Sequence, residues 1–215
     1  MTKESSEASS GGHSQPGAQP RLAAATTKAW QAFGSQTPEQ IGWLGGGPRG
    51  NSWQLTVLDQ DLVVDPASAR VTLATGEDVR PEWHILVLHY LAVPGRPEPR
   101  PPEVTFADLP NGRGYADVYD KRVLKRLCAT VGREAAALRR AAEGLQGREV
   151  PGGDAAFQFT AFPRVPIRLI WHAPDEEFPP SASILLPNNV EEFFSTEDIV
   201  VLCESCVARL AGRPF

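Results

Sequence analysis

The pattern of hydrophobic and polar positions between residues 152 and 187 predicts three consecutive β-strands. In the first two segments, hydrophobic side chains alternate mostly with polar ones, which is the period of a strand that buries one face. The third segment is a short apolar run. An acidic loop with the sequence APDEEFPP separates the last two segments and is too long for a tight hairpin turn. The alternating hydrophobic positions are Phe157, Phe159 and Ala161 in the first segment and Ile167, Leu169 and Trp171 in the second.

Before this region, the pattern predicts three helices and a small antiparallel meander. The third helix is apolar on nearly all sides, so we expect it to be central and buried. Residues 45–51, with the sequence GGGPRGN, are expected to form a plain connector, because they match neither a phosphate-binding nor a dinucleotide-binding pattern. The helices are predicted at residues 21–33, from Thr37 onward and at residues 81–93, and the strands at residues 53–60, 61–66 and 69–75.

Two further helical segments are predicted. The first covers residues 116–145, in which hydrophobic residues from Leu124 onward recur every three or four positions, as is typical of one face of an amphipathic helix. Gly132 lies inside this stretch, so the segment forms either one helix or two. The last helix is predicted to begin at Ser195, whose hydroxyl can cap it, and Asp198 can complete a capping box.

These elements predict an α+β fold: one antiparallel sheet of five to seven strands, packed against several helices. Residues 21–215 have the length of a single domain. Residues 1–20 contain almost no apolar side chains that could offset the entropy lost on ordering, so we expect a disordered N-terminal tail.

Composition narrows the functional classes. The formal net charge of −5 disfavours nucleic acid as a partner, because neutralising phosphates requires a surplus of Lys and Arg. No apolar run approaches the roughly 18–20 residues that span a bilayer, so no membrane partner is expected. The N-terminus lacks an apolar signal core, and three cysteines fit a reducing compartment better than a disulfide framework. We therefore expect a soluble cytoplasmic protein.

Cys203 and Cys206 are the residues that most resemble a metal or redox motif. Two thiolates three positions apart on a helix could supply half of a zinc or iron–sulfur site. A complete site needs two more ligands, and the chain has no second cysteine pair. Both cysteines also share a helical stripe with Ile199 and Leu210, which favours core packing.

The acidic loop offers a second candidate site at Asp175, Glu176 and Glu177, with His172 just before it and Arg164 on the preceding segment. Clustered carboxylates and a histidine can bind a cation, or act as general acid and base where burial separates their pKa values. The alternative is a solvated turn that carries charge without a site, and this is the interpretation that we favour.

Charge is also segregated along the chain. Residues 118–149 are predominantly basic, whereas residues 175–208 contain acidic side chains and no lysine or arginine. The segregation indicates either two solvated faces that attract each other or an acidic surface for a basic partner or a cation. We favour the first interpretation.

Four stretches of the chain together resemble an uncharacterised prokaryotic family. They are LHYL at residues 88–91, FADLPNGRGY at residues 106–115, the strand region at residues 153–185 and TEDI at residues 196–199. The resemblance spans about residues 21–211 and implies one cytosolic domain, in a family known only as a domain of unknown function and found mostly in anaerobic bacteria and archaea. Some members look to be joined to a segment that binds an iron–sulfur cluster, as in corrinoid proteins of one-carbon metabolism. This chain lacks the four cysteines of such a segment.

Three functional hypotheses follow. The leading one is a non-catalytic accessory or ligand-binding protein with an unidentified protein or small-molecule partner, which the resemblance links to anaerobic metallo- or corrinoid-enzyme systems. The second is a small acid–base or metal-assisted enzyme that uses the Asp175–Glu177 loop. The third is a metal or redox protein that uses Cys203 and Cys206. The sequence specifies no cofactor, and the absence of the common catalytic motifs favours the first hypothesis.

Overall fold

The computed structural model describes residues 18–215 and has the α+β architecture that the sequence predicts. Two antiparallel sheets, rather than the single sheet expected, share one hydrophobic core with the helices. The described helices are α1 (Ala18–Gly34), α2 (Pro38–Trp43), α3 (Pro81–Leu91), α4 (Ala116–Tyr119), α5 (Lys125–Ala129), α6 (Ala135–Gly144) and α7 (Thr196–Leu210). The described strands are β1 (Gly47–Arg49), β2 (Ser52–Val57), β3 (Gln60–Asp65), β4 (Arg70–Leu73), β5 (Glu103–Thr105), β6 (Arg148–Glu149), β7 (Ala155–Phe162), β8 (Val165–His172) and β9 (Ser181–Pro187).

Most of the tail predicted at residues 1–20 lies outside the described residues. Helix α1 begins at Ala18, three residues before the expected start, and ends at Gly34, one residue after the expected end. Within residues 18–215, no helix combines the length and the apolar composition that crossing a membrane requires.

The smaller sheet is a meander with the strand order β1-β2-β3-β4. Strands β2, β3 and β4 are the three strands predicted from the sequence. Strand β1 contradicts the plain connector expected at residues 45–51, because Gly47–Arg49 pairs with β2 at the edge of the sheet. Such pairing uses backbone groups, and proline is tolerated on an edge strand.

The larger sheet has the strand order β5-β9-β8-β7-β6, so β8 lies in its middle. This confirms that the segments on both sides of the acidic loop are extended and paired. Inward positions of β8, among them Leu169 and Trp171, are buried, as their alternation predicts. The two sheets meet where the backbone N–H of Leu58 donates to the carbonyl of Ala161 at 3.2 Å.

Helix α3 passes through the core, as its apolar composition predicts. Tyr90 is completely buried, and its hydroxyl donates to the Leu44 carbonyl at 2.8 Å and accepts the backbone N–H of Arg164 at 3.1 Å. The ring lies between aromatic side chains of β7 and of the segment before α7. One side chain therefore joins the end of α2, the core helix and the turn between β7 and β8.

The amphipathic segment after residue 116 is interrupted rather than continuous. A π-helical turn, Asp120–Leu124, separates α4 from α5, and a 3₁₀ turn that contains Gly132 separates α5 from α6. The break at Gly132 confirms the two-helix alternative. The π-helical turn also displaces the predicted stripe, because its extra residue rotates the following side chains. Val123 and Leu127 are buried, whereas Cys128 is only half-buried.

Helix α7 begins as predicted. The Ser195 hydroxyl accepts the backbone N–H of Asp198 at 3.2 Å, and the Asp198 carboxylate accepts the backbone N–H of Ser195 at 3.2 Å. This is a complete capping box. The helix buries the stripe that contains both of its cysteines.

Candidate functional site

An open pocket of about 230 Å3 lies between α3, the π-helical turn and α7. We call it the Trp83 pocket. Its walls come from the first turn of α3, from one face of α7 and from the residues that follow α7. The apolar part of the lining consists of Val201, Ala208, Pro214 and the Trp83 ring, and the polar part of Arg80, Glu82, Arg122, Glu204, Ser205 and Arg213.

Trp83 and Ser205 bring two hydrogen-bond donors to this pocket. Trp83 is 1% exposed and Ser205 is 6% exposed, so both are almost completely withdrawn from bulk water. Within residues 18–215, neither the indole N–H of Trp83 nor the hydroxyl of Ser205 has a hydrogen-bond partner. The buried indole of Trp171 differs, since it donates to the Gly132 carbonyl at 2.8 Å. The two donor atoms nevertheless keep access to open space, because the inaccessible unpaired side-chain atoms of the described residues belong to Tyr119, Arg168 and Arg209. Two donors that face one pocket without a protein partner take their acceptor from a ligand or from water.

The backbone after α7 turns back and brings Arg213 to the pocket. Gly212 has a φ of 82°, a left-handed conformation that glycine adopts without strain. The N–H groups of Gly212 and Arg213 donate to carbonyls of the last turn of α7 at 2.8 and 2.9 Å, which is a Schellman motif. Phe215 then stacks on Trp83, with ring centroids 4.6 Å apart. In the described part of the chain, the Arg213 guanidinium has no carboxylate within ion-pair distance.

The wall opposite is a network of ion pairs between the basic and the acidic segment. Arg122 donates to Glu204 at 2.6 Å and to Glu197 at 3.0 Å. Arg126 donates to the other oxygen of Glu204 at 3.2 Å. Glu204 thus accepts hydrogen bonds from two arginines and holds Arg122 in place. This arrangement supports the interpretation that the two charged segments attract each other.

Arg80 and Glu82 form the rim at the start of α3, with Arg80 Nε donating to Glu82 at 3.0 Å. Partial burial alone would raise the pKa of Glu82, but the backbone N–H, the Arg80 guanidinium and the field of Arg213 together lower it. Glu82 is therefore ionised at neutral pH. Counting one charge for each ionised side chain, the three arginines of the lining outnumber its two glutamates by one.

The structure places the three carboxylates of the acidic loop in solvent. Asp175 accepts the backbone N–H groups of Glu177 and Phe178 at 2.8 and 2.7 Å, so it stabilises its own turn. The side chains of Glu176 and Glu177 are exposed and have no partner among the described residues. Phe178, at the tip of the loop, is 66% exposed. The loop has the geometry of a solvated turn.

Arg164 and His172 lie at opposite ends of β8, eight residues apart, or roughly 26 Å at the rise of a strand. Arg164 donates to the Trp43 carbonyl at 3.1 Å and lies over the Trp43 ring. His172 is exposed, and its closest carboxylate is Asp154 at 4.0 Å. The structure therefore does not bring Arg164 together with the acidic loop.

Cys203 and Cys206 are buried in the core, as their stripe predicts. Burial raises the pKa of Cys203 to about 12 and that of Cys206 well above its usual value, so both thiols stay protonated. The Tyr119 hydroxyl is buried against the Cys203 thiol, a weak hydrogen-bonding group, and has no well-aligned hydrogen-bond partner in the described residues. Among residues 18–215, no group of three or more His, Cys, Asp or Glu side chains is arranged to hold a metal ion.

Sequence analysis did not identify the Trp83 pocket. Trp83 is recognisable as a core residue of an apolar helix, and Ser205 as a polar residue between two buried cysteines. Neither position shows that its donor is unpaired, because that depends on the neighbours in space. The one local signal is the Gly-Arg-Pro sequence at residues 212–214, where a glycine just after a helix predicts a reversal of the chain.

Comparison with known proteins gives one result. A family model described as a domain of unknown function (DUF3786) matches residues 42–209, which include every element from the end of α2 to nearly the end of α7. No curated protein and no solved structure matches the chain.

Proposed function

We propose that this chain, which belongs to the DUF3786 family of domains of unknown function, is a non-catalytic binding protein. It holds a small polar molecule in the Trp83 pocket. The proposal keeps the leading hypothesis from the sequence and gives it a location.

The observation that carries the proposal is the pair of buried donors without partners. Both side chains are almost fully buried, yet their donor atoms keep access to the pocket, where a ligand or water can accept from them. Trp83 and Ser205 both line the same open pocket, so one molecule with a suitable acceptor could satisfy both. The pocket volume of about 230 Å3 is well above what a single water molecule needs, so a small molecule can enter it.

The lining supports binding rather than catalysis. A serine nucleophile needs a neighbouring base, and in the described residues the Ser205 hydroxyl has no such partner. Among the described residues, the lining side chains include no histidine and no cysteine. The arginines and glutamates are mostly held by one another, which suits a fixed recognition surface.

We place this binding protein in the cytoplasm. The three cysteines are free, which suits a reducing compartment. A role as an accessory to anaerobic metallo- or corrinoid-enzyme systems is the setting that the sequence resemblance favours.

The test measures the NMR signal of the Trp83 indole N–H. In 15N-labelled protein, each of the five tryptophans gives an indole N–H signal, and the variant Trp83→Phe identifies the signal of Trp83. Protein purified gently from its natural source is denatured, and released small molecules are identified by mass spectrometry. We expect one compound in near-stoichiometric amount, which shifts the Trp83 signal when it is returned to the protein.

The control is the variant Ser205→Ala, which removes the second donor and little volume. We expect it to retain the fold and to release much less of the compound. The proposal is wrong if the natural protein releases nothing and the Trp83 signal does not respond to acetate, butyramide, glycerol or inorganic phosphate.

A further inference from the structure

The charge and the donors of the Trp83 pocket indicate the chemical class of its ligand. We infer that the pocket binds a small monocarboxylate, whose carboxylate lies among Trp83, Ser205 and Arg213 and whose hydrocarbon part lies along the apolar wall. This inference rests on the proposed binding function and specifies it.

The hydrogen-bond donors of the pocket that have no protein partner favour a ligand with a hydrogen-bond acceptor. An indole N–H and a guanidinium can only donate hydrogen bonds, and a serine hydroxyl can donate one. Trp83, Ser205 and Arg213 are the three lining residues whose donors have no partner in the described chain. A carboxylate offers two oxygens with about four acceptor positions, and hydrogen bonds to an ionised acceptor are the stronger kind.

The charge balance favours one negative charge on the ligand. Arg122 is held by Glu204 and Glu197, and Arg80 is held by Glu82. Arg213 is left as the surplus positive charge of the lining. A single carboxylate neutralises it, whereas a second negative charge would face the carboxylates of Glu82 and Glu204.

The backbone of Arg213 is held by the fold, whereas its side chain is exposed. The Schellman motif at Gly212 sets the direction of the backbone, and Arg209 Nη1 donates to the Arg213 carbonyl at 2.7 Å. Phe215 stacks on Trp83 and lies under the Arg209 guanidinium, 4.8 Å from it. These contacts anchor the backbone on both sides of Arg213 beside the two buried donors.

The apolar wall selects the rest of the molecule. Val201, Ala208 and Pro214 line the pocket next to the Trp83 ring and offer no polar side-chain atom. A short alkyl chain attached to the carboxylate would cover this wall and exclude water from the hydrogen bonds. Butyrate has this shape, and butyramide is its neutral isostere.

The experiment compares sodium butyrate, butyramide and sodium phosphate by calorimetry and by the indole signal of Trp83. We expect butyrate to bind at least about tenfold more tightly than butyramide, since hydrogen bonds to a charged acceptor contribute about 1.5 kcal/mol or more. The preference is expected to disappear in Arg213→Gln. It is expected to remain in Arg49→Gln, which removes an exposed arginine outside the pocket.

The possible outcomes separate this inference from the proposed function. Equal binding of butyrate and butyramide at Trp83 overturns the carboxylate assignment and leaves a binding pocket. Stronger binding of phosphate than of butyrate overturns the preference for a single charge. An unchanged preference in Arg213→Gln, with the fold intact by circular dichroism, overturns the role of Arg213. If none of the three compounds binds, the inference fails, and a natural ligand released from the protein would still establish the proposed function.

Discussion

At the scale of single residues, a buried polar atom is informative when it lacks a partner. The hydroxyl of Tyr90 has two partners in the core and acts in stability. The hydroxyl of Tyr119 is inaccessible to solvent and has only the Cys203 thiol, a weak partner, beside it. The indole of Trp83 has no hydrogen-bond partner in the described residues, but it lines an open pocket. A polar atom without a partner lowers stability in a closed core, whereas in an open pocket it can bind a ligand.

The two buried tyrosines give a matched prediction. Tyr90→Phe leaves the Leu44 carbonyl and the Arg164 N–H without their buried partner, so we expect the free energy of unfolding to fall by about 2–4 kcal/mol. Tyr119→Phe removes a hydroxyl whose neighbour is the weakly hydrogen-bonding Cys203 thiol, so we expect a clearly smaller change in stability. Urea unfolding of both variants checks this. A larger loss for Tyr119→Phe than for Tyr90→Phe would contradict it.

At the scale of elements, a histidine–aspartate pair joins α3 and α7, and its two residues lie in the LHYL and TEDI stretches of the sequence. His89 of LHYL lies in the last turn of α3, and Asp198 of TEDI lies in the first turn of α7. His89 Nδ1 is 3.0 Å from both carboxylate oxygens of Asp198. The His89 side chain is 35% exposed, so the ring bridges the two helices at the edge of the core. Asp198 stands at the N-terminal end of a helix, which favours its negative charge.

Asp198 makes stability depend on pH in a defined direction. Burial by itself would raise its pKa, but hydrogen bonds from His89 and Ser195 more than offset this and bring the pKa below the usual 3.8. A carboxyl with a lowered pKa in the folded state stabilises the protein above its unfolded pKa and loses that contribution as pH falls through the folded one. The destabilisation caused by Asp198→Asn is therefore expected to be about 1.5–3 kcal/mol at pH 7 and to shrink below pH 4.

Urea titrations of wild type and Asp198→Asn between pH 2.5 and pH 7 measure this difference. Asp117→Asn is the control, because Asp117 is exposed and has no ion pair in the described residues. We expect the control to change stability by less than about 0.5 kcal/mol at any of these pH values. A difference for Asp198→Asn that does not vary with pH would contradict the assignment.

At the scale of the whole molecule, the charge segregation of the sequence becomes an internal contact. The basic segment from Asp120 to Ala129 packs along α7, and Glu204 accepts from Arg122 and Arg126. Because the side chains are about one-third exposed, each pair contributes modestly and is screened by salt. The acidic segment is thus partly neutralised by the chain itself.

The salt dependence of the free energy of unfolding should reveal the contact between Glu204 and the two arginines. Glu204→Gln is expected to lower the free energy of unfolding by about 1 kcal/mol at 0.05 M salt and by much less at ~1 M, where the screening length is ~3 Å. Glu143→Gln, at an exposed position with no ion pair in the described residues, should have little effect at either concentration. Denaturation at the two salt concentrations measures both variants. Equal salt dependence in the two would contradict the role of Glu204.

The elements predictable from sequence are those whose burial follows a regular period. Strands β7 and β8, the apolar helix α3 and the capped start of α7 carry such signals within a few residues. The π-helical turn and strand β1 have no such periodic signal. The turn depends on one inserted residue, and β1 depends on backbone pairing at the edge of a sheet. The separation into two sheets also depends on long-range packing.

The candidate site was less predictable than the fold, for a physical reason. Side-chain type draws attention to Asp175 and Cys203, but the first lies in solvent and the second in the core. The Trp83 pocket joins residues more than a hundred positions apart, and its character comes from donors that remain unpaired. Such a property exists only in the folded arrangement.

The stacking of Phe215 on Trp83 has a practical consequence for handling the protein. An affinity tag fused directly after Phe215 would begin at the ring that stacks on Trp83, behind the pocket wall, and could displace Arg213 with it. A fusion at the opposite terminus, or a tag after Phe215 that is cleaved before titration, keeps this wall intact. Binding constants from the two designs should therefore differ, and the comparison measures how strongly residues 212–215 control access to the pocket.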